Sequence, residues 1–359
     1  MAALLLAAGI LAALLIAIAY TLLVLLSPRP PTPFASESTF LTPSAPSTPQ
    51  SLRSLASPAT VALSVVVPAY NERTRLAVML RPAVEFLETR ELPPTETDLP
   101  DGVARGSYEV LIVDDGSTDG THEVALELAD EVEREFGAKR GRVKVCRLVR
   151  NRGKGGATRH GVLHSSGHRI LFVDADGATH FPDLALLEAE LDALDAAQAP
   201  VARGRPHGLV VGSRAHLVAT EAVVKRSALR NLLMRSFHLY LSLLGLRTIR
   251  DTQCGFKLHA RASAQLLYPA LHSPGWIFDC ELLLLAERCG VPLREVGVRW
   301  TEVPGSKLDV VRDSVRMARD LLVIRGNYLA GRWRTPGAVP PEVVHAATLA
   351  QGAEARKER

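Results

Sequence analysis

Apolar and polar positions divide this chain into three stretches of different character. From Met1 to Leu26 nearly every position is apolar and none is charged. As a helix that stretch reaches roughly 39 Å, enough to cross a bilayer's hydrocarbon core. Over 27–60 the pattern dissolves into Pro, Ser and Thr, which predicts an extended, disordered tether. From Val61 onward, short apolar, largely β-branched runs alternate with helical periodicity. The runs Val61–Val67, Tyr108–Val113, Val143–Leu148 and Arg169–Val173 read as strands. Arg73–Thr89, Thr121–Phe136 and a segment ending at Leu163 read as helices, and Pro93–Gly106 as a loop. Strand–helix alternation with polar strand ends predicts an α/β fold with a mostly parallel central sheet and right-handed crossovers.

The second half is less regular. Helices are expected near Asp183–Ala197, Lys225–Leu246 and Asp309–Tyr328, with a strand at Leu209–Gly212. The Asp309–Tyr328 segment sets Arg312, Arg316 and Arg319 on one side and offers Val311, Val315, Leu322 and Val323 for others, a pattern open to a solvated face or a membrane surface. The expected organisation is an anchor (1–26), a tether (27–60), one domain of two halves (61–182 and 183–333) and a charged tail (334–359), the chain fraying from Trp333 onward.

Charge and cysteine content narrow the possibilities. The net charge is +4, with 42 basic residues spread among 38 acidic ones, so composition implies no nucleic-acid partner. Cys146, Cys254, Cys280 and Cys289 form no CxxC pair and suit reduced, buried thiols. No basic segment precedes the apolar run and Ser27-Pro28 follows it, so an uncleaved anchor is expected rather than a signal peptide. Arg29 and Arg53 lie on its downstream side, which places the folded domain on the cytosolic face. Downstream of Leu26 no second apolar run is long enough to span, which argues against a processive polysaccharide synthase.

The chemistry gathers at strand ends. Asp174 and Asp176 flank Ala175 directly after the fourth predicted strand. Two adjacent carboxylates repel unless a cation, a proton or solvent relieves them, and a hard ion such as Mg²⁺ or Mn²⁺ shared with substrate phosphates does so. Pro68-Ala69-Tyr70-Asn71-Glu72, Asp114-Asp115-Gly116-Ser117 and Asn151-Arg152-Gly153-Lys154-Gly155 follow the other three strands. A parallel sheet brings such ends to one edge, where carboxylates can accept from ribose and Lys154 can meet a diphosphate. The lysine run lacks P-loop spacing, and no GxGxxG follows the first strand. His160, His164 and His168, spaced by four, are expected on a solvated helix face.

Taken together, these four motifs resemble those of the family-two inverting glycosyltransferases of the GT-A fold, over about Val61 to Trp333. Asp251-Thr252-Gln253-Cys254-Gly255-Phe256-Lys257, Phe278-Asp279-Cys280-Glu281 and Pro304-Gly305-Ser306-Lys307-Leu308 look like the members that glucosylate dolichyl phosphate. The resemblance implies a single-pass protein of the endoplasmic reticulum membrane that takes UDP-glucose as donor, with mannose from GDP-mannose the alternative sugar. A tethered, non-catalytic nucleotide-binding scaffold is the rival from another class. It further implies that Pro68, Ala69, Tyr70, Glu72, Asp114 and Asp115 hold the nucleotide with help from Lys154. Asp174, Ala175 and Asp176 would hold the divalent metal and diphosphate. Lys257, Lys307 and Arg299 are the candidates for the lipid phosphate, and Asp279 would orient the acceptor or a nearby cation.

Overall fold

The computed structural model describes residues 1–29, 31–32, 34–92, 99–198, 206–215, 249–305 and 310–339. The expected helix at 225–246 and Lys307 lie outside them. The described strands are β1 (Thr39–Thr42), β2 (Ala45–Ser51), β3 (Val61–Ala69), β4 (Tyr108–Asp114), β5 (Gly141–Arg147), β6 (Gly167–Val173), β7 (Leu209–Ser213), β8 (Phe256–Ala260) and β9 (Leu293–Gly297). They form one sheet in the order β2-β1-β5-β4-β3-β6-β8-β7-β9. The stretch β5-β4-β3-β6 is parallel, as the alternating pattern predicts. Beyond β6 the sheet is mixed, because β8 inserts antiparallel between β6 and β7 while β9 runs parallel to β7.

The central strands are buried on both faces, so they read as continuous apolar runs rather than alternating ones. One face is covered by α2 (Leu76–Thr89), α3 (Thr121–Phe136) and α5 (Leu184–Gln198). The other is covered by α4 (Lys154–Leu163), α6 (Arg261–Leu267) and α7 (Phe278–Cys289), with α8 (Val310–Leu329) packed against α7. Helix α7 is buried almost all round, from Phe278 through Ala286, which is the condition of a core helix. The apolar leader forms α1 (Ala2–Leu26), 25 residues with no buried side chain.

Two terminal segments differ from expectation. The stretch predicted as a disordered tether contains the β1–β2 hairpin, and β1 pairs antiparallel with β5 at Leu41 and Val145. Phe40 is buried there, and the pairing covers an edge strand that would otherwise expose its backbone. Because β2 is exposed along most of its length, it needs no apolar pattern, and its Pro, Ser and Thr content hides it. Nor does the chain fray at Trp333. That ring stacks on His272 with centroids 4.1 Å apart, and the Val339 amide donates to the Cys289 carbonyl at 2.7 Å.

Candidate active site

Parallel register aligns the ends of β3, β4 and β5: Ala69 lies opposite Asp114, and Asp114 opposite Arg147. Asn71 takes a left-handed conformation with φ of 53°, which asparagine tolerates better than most residues. Its amide donates to Ser117 Oγ at 2.8 Å, and its side-chain oxygen accepts from the Thr118 amide at 2.9 Å. The Glu72 amide donates to Thr121 Oγ1, also at 2.8 Å, so the β3 and β4 loops are joined. Tyr70 remains 39% exposed.

Asp114 is fully buried, with Oδ1 accepting the Ser117 amide and Oδ2 3.5 Å from Arg147 Nε. Asp115 is 2% exposed and accepts the amides of Arg152 at 2.7 Å and Gly153 at 2.8 Å. Burial pushes the Asp115 carboxyl up to about 7; the two amide donors oppose this, and the Asp114 charge adds to it.

Gly153 has φ of +80°, and a Cβ there would stand 2.5 Å from the Pro274 carbonyl oxygen, so glycine allows the loop its tight entry into α4. That entry makes Lys154 the first residue of α4. Its ammonium reaches Asp174 Oδ1 at 2.7 Å and lies 5.4 and 5.5 Å from the ring centres of Phe172 and Trp276. Burial alone would lower the Lys154 pKa, but Asp174 and Asp279 outweigh it and raise it. A Cβ at Gly255 would fall 2.0 Å from Asp174 Oδ2, so that position also requires glycine, while its carbonyl accepts the Asp174 amide at 3.0 Å.

Asp176 Oδ1 accepts the Ala178 amide at 3.0 Å, and Arg75 Nη1 stands 3.9 Å from Oδ2. Arg75 also grips Glu72 through two contacts of 2.7 and 2.6 Å. Burial, then the Asp174 charge, hold Asp176 above the usual carboxylate range. Among the described residues no three His, Cys, Asp or Glu side chains converge into a cage for a metal. The two carboxylates, with side chains 32% and 28% exposed, keep the open access that a hard divalent ion shared with substrate phosphates and water would need.

Behind this open pair lies a closed one. Lys257, on β8, is fully buried and reaches Asp279 Oδ1 at 2.7 Å and the Cys254 carbonyl at 2.5 Å. Burial raises the Asp279 pKa, against the pull of Lys257 and Lys154. Lys257 therefore has no exposed atom to offer a lipid phosphate in this arrangement. Arg299 is exposed, yet its amide and guanidinium are engaged by Asp183 at 2.6, 2.9 and 2.5 Å. Asp251 is held by Arg214 at 2.7 and 2.8 Å. Glu281 accepts the His272 and Ser273 amides and the Tyr328 hydroxyl, which fastens a loop and α8 to α7.

Sequence reasoning missed three contributors. Arg75 links Glu72 to Asp176, and its three-residue spacing from Glu72 was the available signal. Gly255 makes room for Asp174, with no sequence signal beyond being glycine. Glu37, in the supposed tether, is 2% exposed and accepts the amides of Val149 at 2.9 Å and Phe34 at 3.0 Å as well as the Arg152 guanidinium. It thereby braces the loop that carries Lys154. His160 is likewise no solvated residue: it contacts the Glu37 carbonyl at 2.8 Å, and burial pushes its pKa down to about 4. His168 lies on β6, beyond the end of α4.

Residues 64–241 match the glycosyl transferase family 2 model. The dolichyl-phosphate beta-glucosyltransferase of Drosophila melanogaster is 45% identical over 298 residues, 83% of this chain and 84% of that protein. The Homo sapiens protein of the same name is 44% identical over 276 residues, 77% of this chain and 78% of its own. A crystal structure of glucosyl-3-phosphoglycerate synthase from Mycobacterium tuberculosis with UDP aligns over 74% of this chain and 80% of that one. Its TM-score is 0.44 at 19% identity, too distant to place ligand atoms.

Proposed function

The chain belongs to the dolichyl-phosphate beta-glucosyltransferases of glycosyltransferase family 2, and from that membership we propose how its strand-end residues divide the reaction. The enzyme transfers glucose from UDP-glucose to dolichyl phosphate with inversion, giving dolichyl β-D-glucosyl phosphate and UDP. One acceptor phosphate oxygen bonds to C1 as the bond from C1 to the UDP oxygen breaks, and the bonding pair leaves on the diphosphate. The acceptor is already anionic at neutral pH, so little general-base help is needed and in-line positioning matters more.

The observation that carries this reading is the Lys154–Asp174 pair at an open edge, with Asp176 beside it and the sealed Lys257–Asp279 pair behind. Asp114 and Asp115, with Pro68, Ala69, Tyr70 and Glu72, hold the uridine side. Lys154 turns from Asp174 toward the departing diphosphate and offsets its developing charge. Asp174 and Asp176 hold Mg²⁺ or Mn²⁺, which supplies further charge neutralisation on the leaving group. Asp279 keeps Lys257 and the floor of the acceptor side fixed. Lys307 and Arg299 remain the candidates on the acceptor's own face, and for Arg299 that role requires release from Asp183.

We place α1 across the endoplasmic reticulum membrane with the catalytic domain in the cytosol, on the strength of its length, its apolar character and the downstream Arg29 and Arg53. The test is purified full-length protein with radiolabelled UDP-glucose and dolichyl phosphate, with and without a chelator. A chloroform-soluble, acid-labile product that the chelator abolishes is expected. Product from GDP-mannose alone would move the donor assignment to mannose, and no product from either sugar would favour the scaffold.

A further inference from the structure

Helix α8 carries an exposed face that the catalytic reading leaves unused. Val315, Leu322 and Leu329 are 67%, 56% and 76% exposed and follow each other at seven-residue steps, so they form one apolar stripe along the helix. Arg312, Arg316 and Arg319 are exposed beside that stripe. The opposite face is core: Met317, Leu321, Ile324 and Tyr328 pack with the leucines of α7.

The end of α1 is fastened to this same helix. Ser27, which caps α1, accepts hydrogen bonds from Asn327 Nδ2 at 2.8 Å and Arg332 Nη1 at 3.1 Å. A Cβ at Gly326 would meet Leu23 at 2.8 Å, so the last turns of α1 lie against α8. Gly326 lies about 40° from Leu322 around the helix axis, at the flank of the stripe, so α1 emerges beside the apolar stripe. A membrane beginning where α1 ends therefore continues across Val315, Leu322 and Leu329, with the arginines at headgroup level.

We infer that α8 lies in the bilayer interface beside the anchor, its apolar stripe at the boundary of headgroups and acyl chains and its arginines against lipid phosphates. This rests on α1 being a membrane anchor. Lipid is favoured as the occupant over a protein partner because the stripe is continuous with the apolar surface of α1, and because basic side chains border it. The consequence reaches the site. The buried face of α8 touches α7 through Tyr328 and Glu281, and meets Gln253 through Met317, so a docked α8 fixes the height of Asp279 and Cys254 above the membrane. A phosphate that cannot leave the headgroup layer then needs the catalytic edge to be held at that level.

The native cysteines are all buried, which leaves single introduced cysteines free for labelling. Full-length Leu322→Cys, Leu14→Cys and Glu127→Cys variants, each carrying an environment-sensitive fluorophore, are placed in phosphatidylcholine–phosphatidylserine vesicles containing lipid-borne quenchers. The probes at positions 14 and 322 are expected to lose more than half of their emission, and the probe at 127 on α3 to lose little. Quenching at 14 without quenching at 322 overturns the interfacial helix and leaves the anchor standing. Quenching at neither overturns both. A blue-shifted probe at 322 that lipid quenchers leave untouched means a protein covers the stripe, and also overturns the proposal.

Discussion

Lys154–Asp174 and Lys257–Asp279 are ion pairs of the same 2.7 Å length in different surroundings. The first sits at the carboxyl edge of the parallel strands, with side chains 16% and 32% exposed; the second lies under the antiparallel strand β8, at 0% and 2%. Lys154 and Asp174 keep some contact with water, so their pair costs less to break than one sealed in the interior, which is what the proposed move of Lys154 to the diphosphate requires. In the interior each partner has lost its hydration, and either one alone is costly. In the proposed reaction the first pair therefore takes part and the second holds the frame.

Removing one partner of the sealed pair should have the largest effect. Lys257→Met leaves the buried Asp279 without its ion-pair partner, and should destabilise the fold by about 3–5 kcal/mol in denaturant unfolding. Adding Asp279→Leu to that variant should recover most of the loss. If Lys154→Met shifts the unfolding midpoint as far as Lys257→Met, the distinction between the pairs fails. At the open edge the loss should appear in turnover. Asp176→Asn should slow glucosyl transfer at least a thousandfold, about 4 kcal/mol of barrier, and leave the unfolding midpoint within experimental error. An active Asp176→Asn enzyme would remove the metal role assigned to that carboxylate.

The same contrast marks how much was legible in the sequence. The open half announces itself because each parallel strand is a continuous apolar run that stops at a polar loop, so strand, edge and candidate ligand are read in one step. Asp114, Lys154, Asp174 and Asp176 were visible that way. The closed half gives no such signal. Lys257 looks like a free cation in sequence because burial cannot be read from a lysine's neighbours, and Phe256-Lys257-Leu258-His259-Ala260 is a strand whose two polar side chains both point into the core. Glu37 was hidden for the opposite reason: its segment is too polar and short in apolar residues to look folded, and its order comes from pairing to β5 and from Arg152.

Glu37 tests whether the open pair depends on support from outside the core domain. Glu37→Gln keeps the shape of the side chain but weakens its hold on Arg152, and so loosens the loop that presents Lys154. The KM for UDP-glucose should rise about tenfold with a smaller change in kcat, within the range for a hydrogen bond to a charged group. An equal fall in kcat with KM unchanged would mean that Glu37 acts on something other than donor binding.

Asp115 should give the smallest effect, read from pH alone. Its folded pKa is about 7 against an ordinary value near 4, because burial disfavours the charge. Below about pH 4 both folded and unfolded chains hold the proton. Between about 4 and 7 the folded protein keeps a proton that the unfolded chain has released, so this residue's contribution to stability falls as pH rises and levels off above 7. Donor binding should run the other way. The ionised carboxylate accepts the Arg152 and Gly153 amides best, so protonation slackens the loop leading to Lys154. The KM for UDP-glucose should therefore rise about threefold from pH 7.5 to 6.5, the ratio of ionised fractions for a group titrating near 7. Asp115→Asn should flatten both trends, since its side chain does not titrate in this range. An acid limb that persists in Asp115→Asn would assign it to another group, with Asp176, also held above its usual range, the first to examine.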